Sequence, residues 1–293
     1  MAEAASSLRH NAEHLAANLP PLLVAARRVA ATVAQGVHGR RRVGQGETFW
    51  QFRPYEIGDP PQLIDWRQSA KTDRVFVREL EWEAAQSVWI WRDLSGSMAW
   101  RSSAELPLKR ERADLLSLAL AVLLIGAGEH VALLGSALRP VTGRAGLSRL
   151  TLVIERESEG SDDGPPSLPL PRNAHVVLIG DLLTPLDPLD RVVRDYAARG
   201  IKGHMLQVLD PAEEDLPYEG RVRFEDLEDD SRWLLPRVEA ARSTYRQRFE
   251  EHCDGLATIA RSVDWSYSRH RTDRPPQAAL MALYTALSQG GEL

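Results

Sequence analysis

SVWIWRDLSGSMAW, residues 87–100, reads as an apolar strand that runs into an Asp and then into two serines at alternate positions. The near-continuous apolar run is the pattern of a parallel strand covered on both faces. A carboxylate at the end of such a strand is costly unless it is paired or bound to a cation. The spacing lets Asp93, Ser95 and Ser97 point inward from one tight loop. One carboxylate with two hydroxyls suits a hard cation such as Mg²⁺, which takes oxygen ligands in an octahedron. The competing reading is local, with Asp or Ser capping the turn that follows.

Outward from this stretch, strands and helices alternate. A helix over 103–128 is followed by the strand HVALLGSA (130–137) and the helix AGLSRLTLVIERES (145–158). AHVVLIGD (174–181), DPLDRVVRDYAARG (187–200) and KGHMLQVLD (202–210) continue as strand, helix, strand. That rhythm predicts an α/β fold built on a doubly wound parallel sheet. Helices over 236–262 and 275–289 follow, with a short strand-like VDWSYS (263–268) between them. Ligands of such sheets sit beyond the carboxyl ends of the strands. Asp93 closes the first strand of the alternating section and Asp181 closes the third, so two carboxylates reach one rim.

Upstream, the chain to about residue 45 reads as helical with a break at Pro20–Pro21, and a glycine-rich loop then carries Arg40, Arg41 and Arg42. The strand-like runs ETFWQFRPY (47–55) and DRVFVRELEWE (73–83) flank the turn-rich GDPPQLIDWRQSAK (58–71). Two domains are therefore expected, an N-terminal helical and β extension over 1–85 and the alternating domain over 86–293. Arg53, Asp59, Asp65 and Arg67 read as ion pairs pinning the turn-rich loop, with a functional surface as the alternative.

Bulk composition narrows the function. At 293 residues, 43% hydrophobic and 26% charged, the chain is an ordinary soluble globular sequence. A net charge of −5 disfavours bulk nucleic-acid binding. A single cysteine, Cys253, excludes an internal disulfide and fits a reducing, cytoplasmic setting. No secretory signal is visible, and the most apolar stretch, Leu115–Gly128, is too short for a membrane span of roughly 20 residues. Lysine is rare, present only at 71, 109 and 202. His10, Glu13 and His14 fit the string H-x-x-E-H, but in a terminal helix without an assembled third ligand they read as solvated surface.

A strand ending in DxSGSM, a later Thr, and another strand ending in Asp resemble the von Willebrand factor A (Rossmann-like) fold with its metal-ion-dependent adhesion site. Further motifs narrow this. Arg53, Tyr55, Gly58 and Asp59 match R-x-Y-x-x-G-D, and Ile64, Asp65 and Trp66 match I-D-W. With VRFEDLED (222–229) and RTDRPPQAALMALYTAL (271–287), they resemble the domain-of-unknown-function 58 family over roughly residue 36 to the end. The resemblance implies a sheet of von Willebrand factor A type with an N-terminal extension and C-terminal helices. It implies Mg²⁺ or Mn²⁺ held by Asp93, Ser95, Ser97, Thr142 and Asp181, with Ser136 and Ser148 as competitors for the threonine's place. It also implies a partner that presents an Asp or Glu to the metal, and a MoxR-type AAA+ ATPase as that partner or its neighbour. The expected function is a non-enzymatic, metal-dependent binding module. A metal-dependent hydrolase at the same rim and a scaffold with a vestigial site are the alternatives. The hydrolase lacks an obvious general base, because His130 and His175 begin their strands and so face the opposite rim.

Overall fold

A computed structural model of the chain describes residues 21–37, 49–55, 64–71, 74–80, 87–157, 164–172, 174–225, 227 and 231–289. The H-x-x-E-H string, Arg40–Arg42 and Asp59 lie outside these residues. Two compact units are present, residues 1–39 with 86–293, and residues 40–85.

The larger unit begins with helix α1 (Pro21–Val37). In the smaller unit, strands β1 (Phe49–Pro54) and β2 (Phe76–Leu80) pair antiparallel, with a one-turn helix, α2 (Trp66–Ser69), between them. Here the turn is pinned by Ser69, whose Oγ donates to the Asp65 carbonyl at 2.7 Å and accepts from the Phe76 N–H at 2.9 Å. Arg67 is exposed, and the side chain of Arg53 is outside the described set.

The larger unit then continues through β3 (Ser87–Arg92), α3 (Lys109–Gly126), β4 (His130–Leu133), α4 (Gly143–Arg156), β5 (His175–Gly180), α5 (Leu186–Ala198) and β6 (Lys202–Leu209). Next come α6 (Pro211–Asp215), the hairpin β7 (Val222–Glu225) with β8 (Arg232–Leu235), α7 (Val238–Ser262), β9 (Ser266–Arg271) and α8 (Pro276–Gln289). The sheet order is β4-β3-β5-β6-β9, and every pair is parallel. The expected doubly wound α/β fold is therefore present. Among the described residues, no helix is long and apolar enough to cross a membrane.

Alternate residues of the sheet feed two cores. Ile90, Val177, Ile179, Leu206 and Val208 pack against helices α1, α3, α4 and α8. Val176, Leu178 and Met205 pack against α5 and α7. Strand β5, third of five, is buried at every position, as a parallel strand covered on both faces must be. Arg92, the charged residue of β3, is buried against Asp114 and Glu157.

Several boundaries differ from the sequence reading, each for a local reason. Helix α3 starts at Lys109 instead of residue 103, since Pro107 precedes an N-cap at Leu108 whose N–H bonds Glu111 Oε2. Strand-like VDWSYS begins later, at Ser266, and joins the sheet edge beside β6. The hairpin β7–β8 and the five-residue α6 are short elements that periodicity did not reveal.

At the amino ends of the strands, His204 is buried, its Nδ1 sharing a hydrogen bond with Ser266 Oγ at 2.7 Å. Its ring stacks on His175 at 6.1 Å between centroids. Burial, then the adjacent His175 and Lys202, push its pKa down to about 4. Because that lies below the unfolded value, the unfolded chain binds the proton first, and stability is lost as pH falls from about 6.5 through 4. This group should cost the protein about 3 kcal/mol over that window. Urea unfolding of wild type and His204→Leu from pH 7 to pH 4 reads it directly. The variant's stability should fall less steeply, and parallel curves would contradict a neutral buried imidazole.

Candidate metal centre

The chain leaves β3 in both directions across the sheet, toward β4 on one side and, by way of α4, toward β5 on the other. The switch point thus lies between β3 and β5, where an open α/β sheet leaves a crevice beyond its strand ends. Asp93 and Asp181 are the first residues past those two strands. The Asp93 N–H still bonds the Ile179 carbonyl at 2.9 Å, which fixes its carboxylate over Gly180. A Cβ on Gly180 would lie 2.5 Å from Asp93 Cβ and 2.7 Å from its Oδ2, so only glycine permits this approach.

The loop after Asp93 closes through the aspartate's own carboxylate. Asp93 Oδ1 accepts the Ser95 N–H at 2.9 Å, closing the turn into the short 3₁₀ segment Gly96–Ala99. The serine hydroxyls do not cap that segment. Ser95 Oγ and Ser97 Oγ are 3.0 Å apart, and Ser97 Oγ donates to Asp181 Oδ2 at 2.6 Å. A run of oxygens therefore leads from Ser95 through Ser97 to Asp181, and the Ser95 N–H ties it to Asp93. Asp181 Oδ1 in turn accepts the Leu183 N–H at 3.2 Å. Leu182, between them, holds a left-handed φ of 50°, uncommon for a non-glycine residue and a feature that concentrates at functional sites.

Lys109, the first residue of α3, completes the cluster. Its side chain is 1% exposed, and Nζ stands 2.8 Å from Asp181 Oδ2 and 2.5 Å from Glu213 Oε1. Burial disfavours the ammonium, yet Asp181 and Glu213 outweigh it and raise its pKa above the ordinary lysine value. Glu213 is positioned by α6, where its Oε2 accepts the Asp210 N–H at 2.8 Å. Asp210, just past β6 and fully buried, accepts from Ala212 N–H at 2.8 Å and Ser102 N–H at 2.9 Å. Three adjacent parallel strands thus end in aspartates, with one lysine among them.

Thr142 is not brought to this cluster. It is the exposed N-cap residue of α4, and the segment before it folds back so that Val141 bridges Val131 antiparallel. Val131 is level with Val88, five residues before Asp93, so Thr142 lies roughly 15–20 Å away along the strands. Of the alternatives, Ser136 bonds the Leu133 carbonyl of its own turn, and Ser148 bonds Arg144 on an exposed helix face. Lys109, Glu213 and Asp210 are the members that sequence reasoning missed. Asp210 carried the same strand-then-Asp signal as Asp93 and Asp181, and Lys109 is one of only three lysines.

The donor chemistry fits a hard cation. Asp93 is buried, and burial together with the nearby Asp181 carboxylate pushes its pKa up to about 6. Burial is the larger cause, and it makes the ionised form costly wherever no positive charge offsets it. Among the described residues, no three His, Cys, Asp or Glu side chains group to hold a metal, so a cation here depends on hydroxyls as well as carboxylates. Asp93, Ser95 and Ser97 would hold it, with Asp181 closing the set.

Replacing Gly180 by Ala should displace Asp93 and cost about 1–3 kcal/mol. Gly126→Ala, where a new Cβ meets nothing within 4 Å, is the matched control. Denaturant titration should show a loss in the first variant alone. Equal stability of the two would mean that Asp93 is not wedged over Gly180.

Comparison with known proteins agrees with the motifs quoted above. Uncharacterized proteins of Mycobacterium tuberculosis and Mycobacterium bovis are 25% identical, over 92% of this chain and 91% of each relative. A crystal structure of an aerotolerance-related membrane protein from Bacteroides fragilis matches with 18% identity and a TM-score of 0.44, over 70% of this chain and all of that one. The conserved hypothetical protein BatB from Bacteroides thetaiotaomicron matches with 17% identity, the same TM-score and the same coverage. A family model described as Protein of unknown function DUF58 matches residues 51–254, well over half of the sequence, and the chain belongs to that family.

Proposed function

We propose that the chain is a non-enzymatic protein-binding module of von Willebrand factor A type, in which Mg²⁺ or Mn²⁺ at Asp93, Ser95, Ser97 and Asp181 receives an Asp or Glu of a partner. The observation that carries this reading is the run of oxygens from Ser95 through Ser97 to Asp181 beside Asp93, at the switch point of the sheet. A dication supplies local positive charge in a chain of net charge −5, and a carboxylate from outside can then complete its oxygen shell. The resemblance described above makes a MoxR-type AAA+ ATPase the leading partner, and the lone cysteine, Cys253, favours a reducing compartment such as the cytoplasm.

Binding fits the cluster better than hydrolysis. A hydrolase wants a base within hydrogen-bond reach of its water. His130 and His175 start their strands, at the far rim, and His252 Nε2 faces the Leu182 carbonyl at 2.7 Å. A scaffold that needs no metal is the second reading. It draws on one observation, the Lys109 ammonium already seated on Asp181.

Pull-down of a MoxR-type ATPase from the same genome, in Mg²⁺ and in EDTA, tests the proposal. The complex should form with Mg²⁺ and be lost in EDTA and in Asp93→Ala. A complex that survives both would place docking elsewhere and favour the scaffold.

A further inference from the structure

Asp181 Oδ2 serves two masters, accepting from Ser97 Oγ at 2.6 Å and from Lys109 Nζ at 2.8 Å. A cation drawn to the serine hydroxyls therefore meets a positive charge on the same oxygen. We infer that Lys109 is the site's own competing cation, holding Asp181 when no divalent ion is bound and so setting how weakly the rim takes metal. This rests on the metal reading given above.

Three features support it. A lysine in the first turn of a helix opposes the helix dipole, so propensity does not explain Lys109, whereas the two carboxylates do. The side chain is sealed from solvent, which makes the ammonium a fixed part of the cluster. Finally, Glu213 gives Lys109 a second anchor independent of the serines, at 2.5 Å. Asp181 can then be yielded to a divalent ion without leaving the ammonium unpaired. Glu213 itself is held by the Asp210 N–H, so this anchor stays in place.

Two substitutions should act in opposite directions. Lys109→Met removes the competitor, and Mn²⁺ should bind about tenfold tighter or more. Glu213→Gln keeps an acceptor for the Asp210 N–H but leaves Lys109 on Asp181 alone, and Mn²⁺ should bind a few-fold more weakly than to wild type, roughly as expected for losing one nearby carboxylate. Calorimetric titration of Mn²⁺ into the full chain gives both affinities, and thermal melts with and without Mn²⁺ give a second readout. Lys109→Met should melt below wild type in EDTA and recover in Mn²⁺. A purely structural lysine would instead leave both variants binding Mn²⁺ more weakly. Wild-type binding with no gain in Lys109→Met would overturn the inference and leave the metal site standing. If Lys109→Met does not fold, Lys109→Gln decides, since it keeps a hydrogen-bond donor for Asp181 without the charge: tighter Mn²⁺ binding than wild type supports the inference, and unchanged or weaker binding overturns it. Absence of Mn²⁺ binding in wild type and in both variants would overturn the metal site, and competition with it.

Discussion

One buried ammonium organises the working end of this protein. Lys109 reaches from the start of α3 to carboxylates on two other segments, Asp181 after β5 and Glu213 on α6. Removing one partner of such a buried pair typically costs about 3–5 kcal/mol, because the other charge is left stranded. The pair as a whole is a poor source of net stability, since an apolar replacement of equal shape often does as well. Its presence is better explained by the charge it sets against the rim carboxylates. Asp181 Oδ2, which it holds, also accepts from Ser97, whose Oγ lies against that of Ser95.

The fold explains why these groups meet. Parallel strands end at a common rim, and the divergence of the chain from β3 toward both β4 and β5 opens the sheet there. Gly180 lets Asp93 lie against the neighbouring strand, and the left-handed backbone at Leu182 turns the chain immediately after Asp181. Leu182 itself is buried in the core under α5 and α7, and His252 meets its carbonyl, so packing holds a conformation that sterics disfavour. The buried carboxylates and their lysine thus gather at one rim, while the opposite rim carries the buried, neutral His204.

What the sequence revealed, and what it hid, follows from the range of each interaction. Asp93 and Asp181 were legible because each closes an apolar run long enough to be read as a covered strand. Ser95 and Ser97 were legible from spacing alone. Lys109 was not, since it lies in KRERAD, which reads as the polar flank of an apolar helix, and its partners are 72 and 104 residues away. Thr142 is a member of the set that the resemblance implies. The single bridge Val131–Val141, which turns that segment toward the wrong rim, leaves no local pattern. Likewise, β9 looked like an isolated short strand, because pairing with β6 spans the whole of α7. In the turn between β1 and β2, the Ser69 hydroxyl bridges the Asp65 carbonyl and the Phe76 N–H, a contact that the sequence pattern does not announce.

The rim cluster is proposed above as a cation site. Paramagnetic broadening of backbone amide signals by Mn²⁺ tests it most directly, since the effect reports position and needs no partner. Broadening should centre on Ser95 to Ala99 and on Leu182 and Leu183, with Thr142 and the amino ends of the strands untouched. A spectrum in which those rim amides stay sharp, or in which broadening centres anywhere else, would contradict the account.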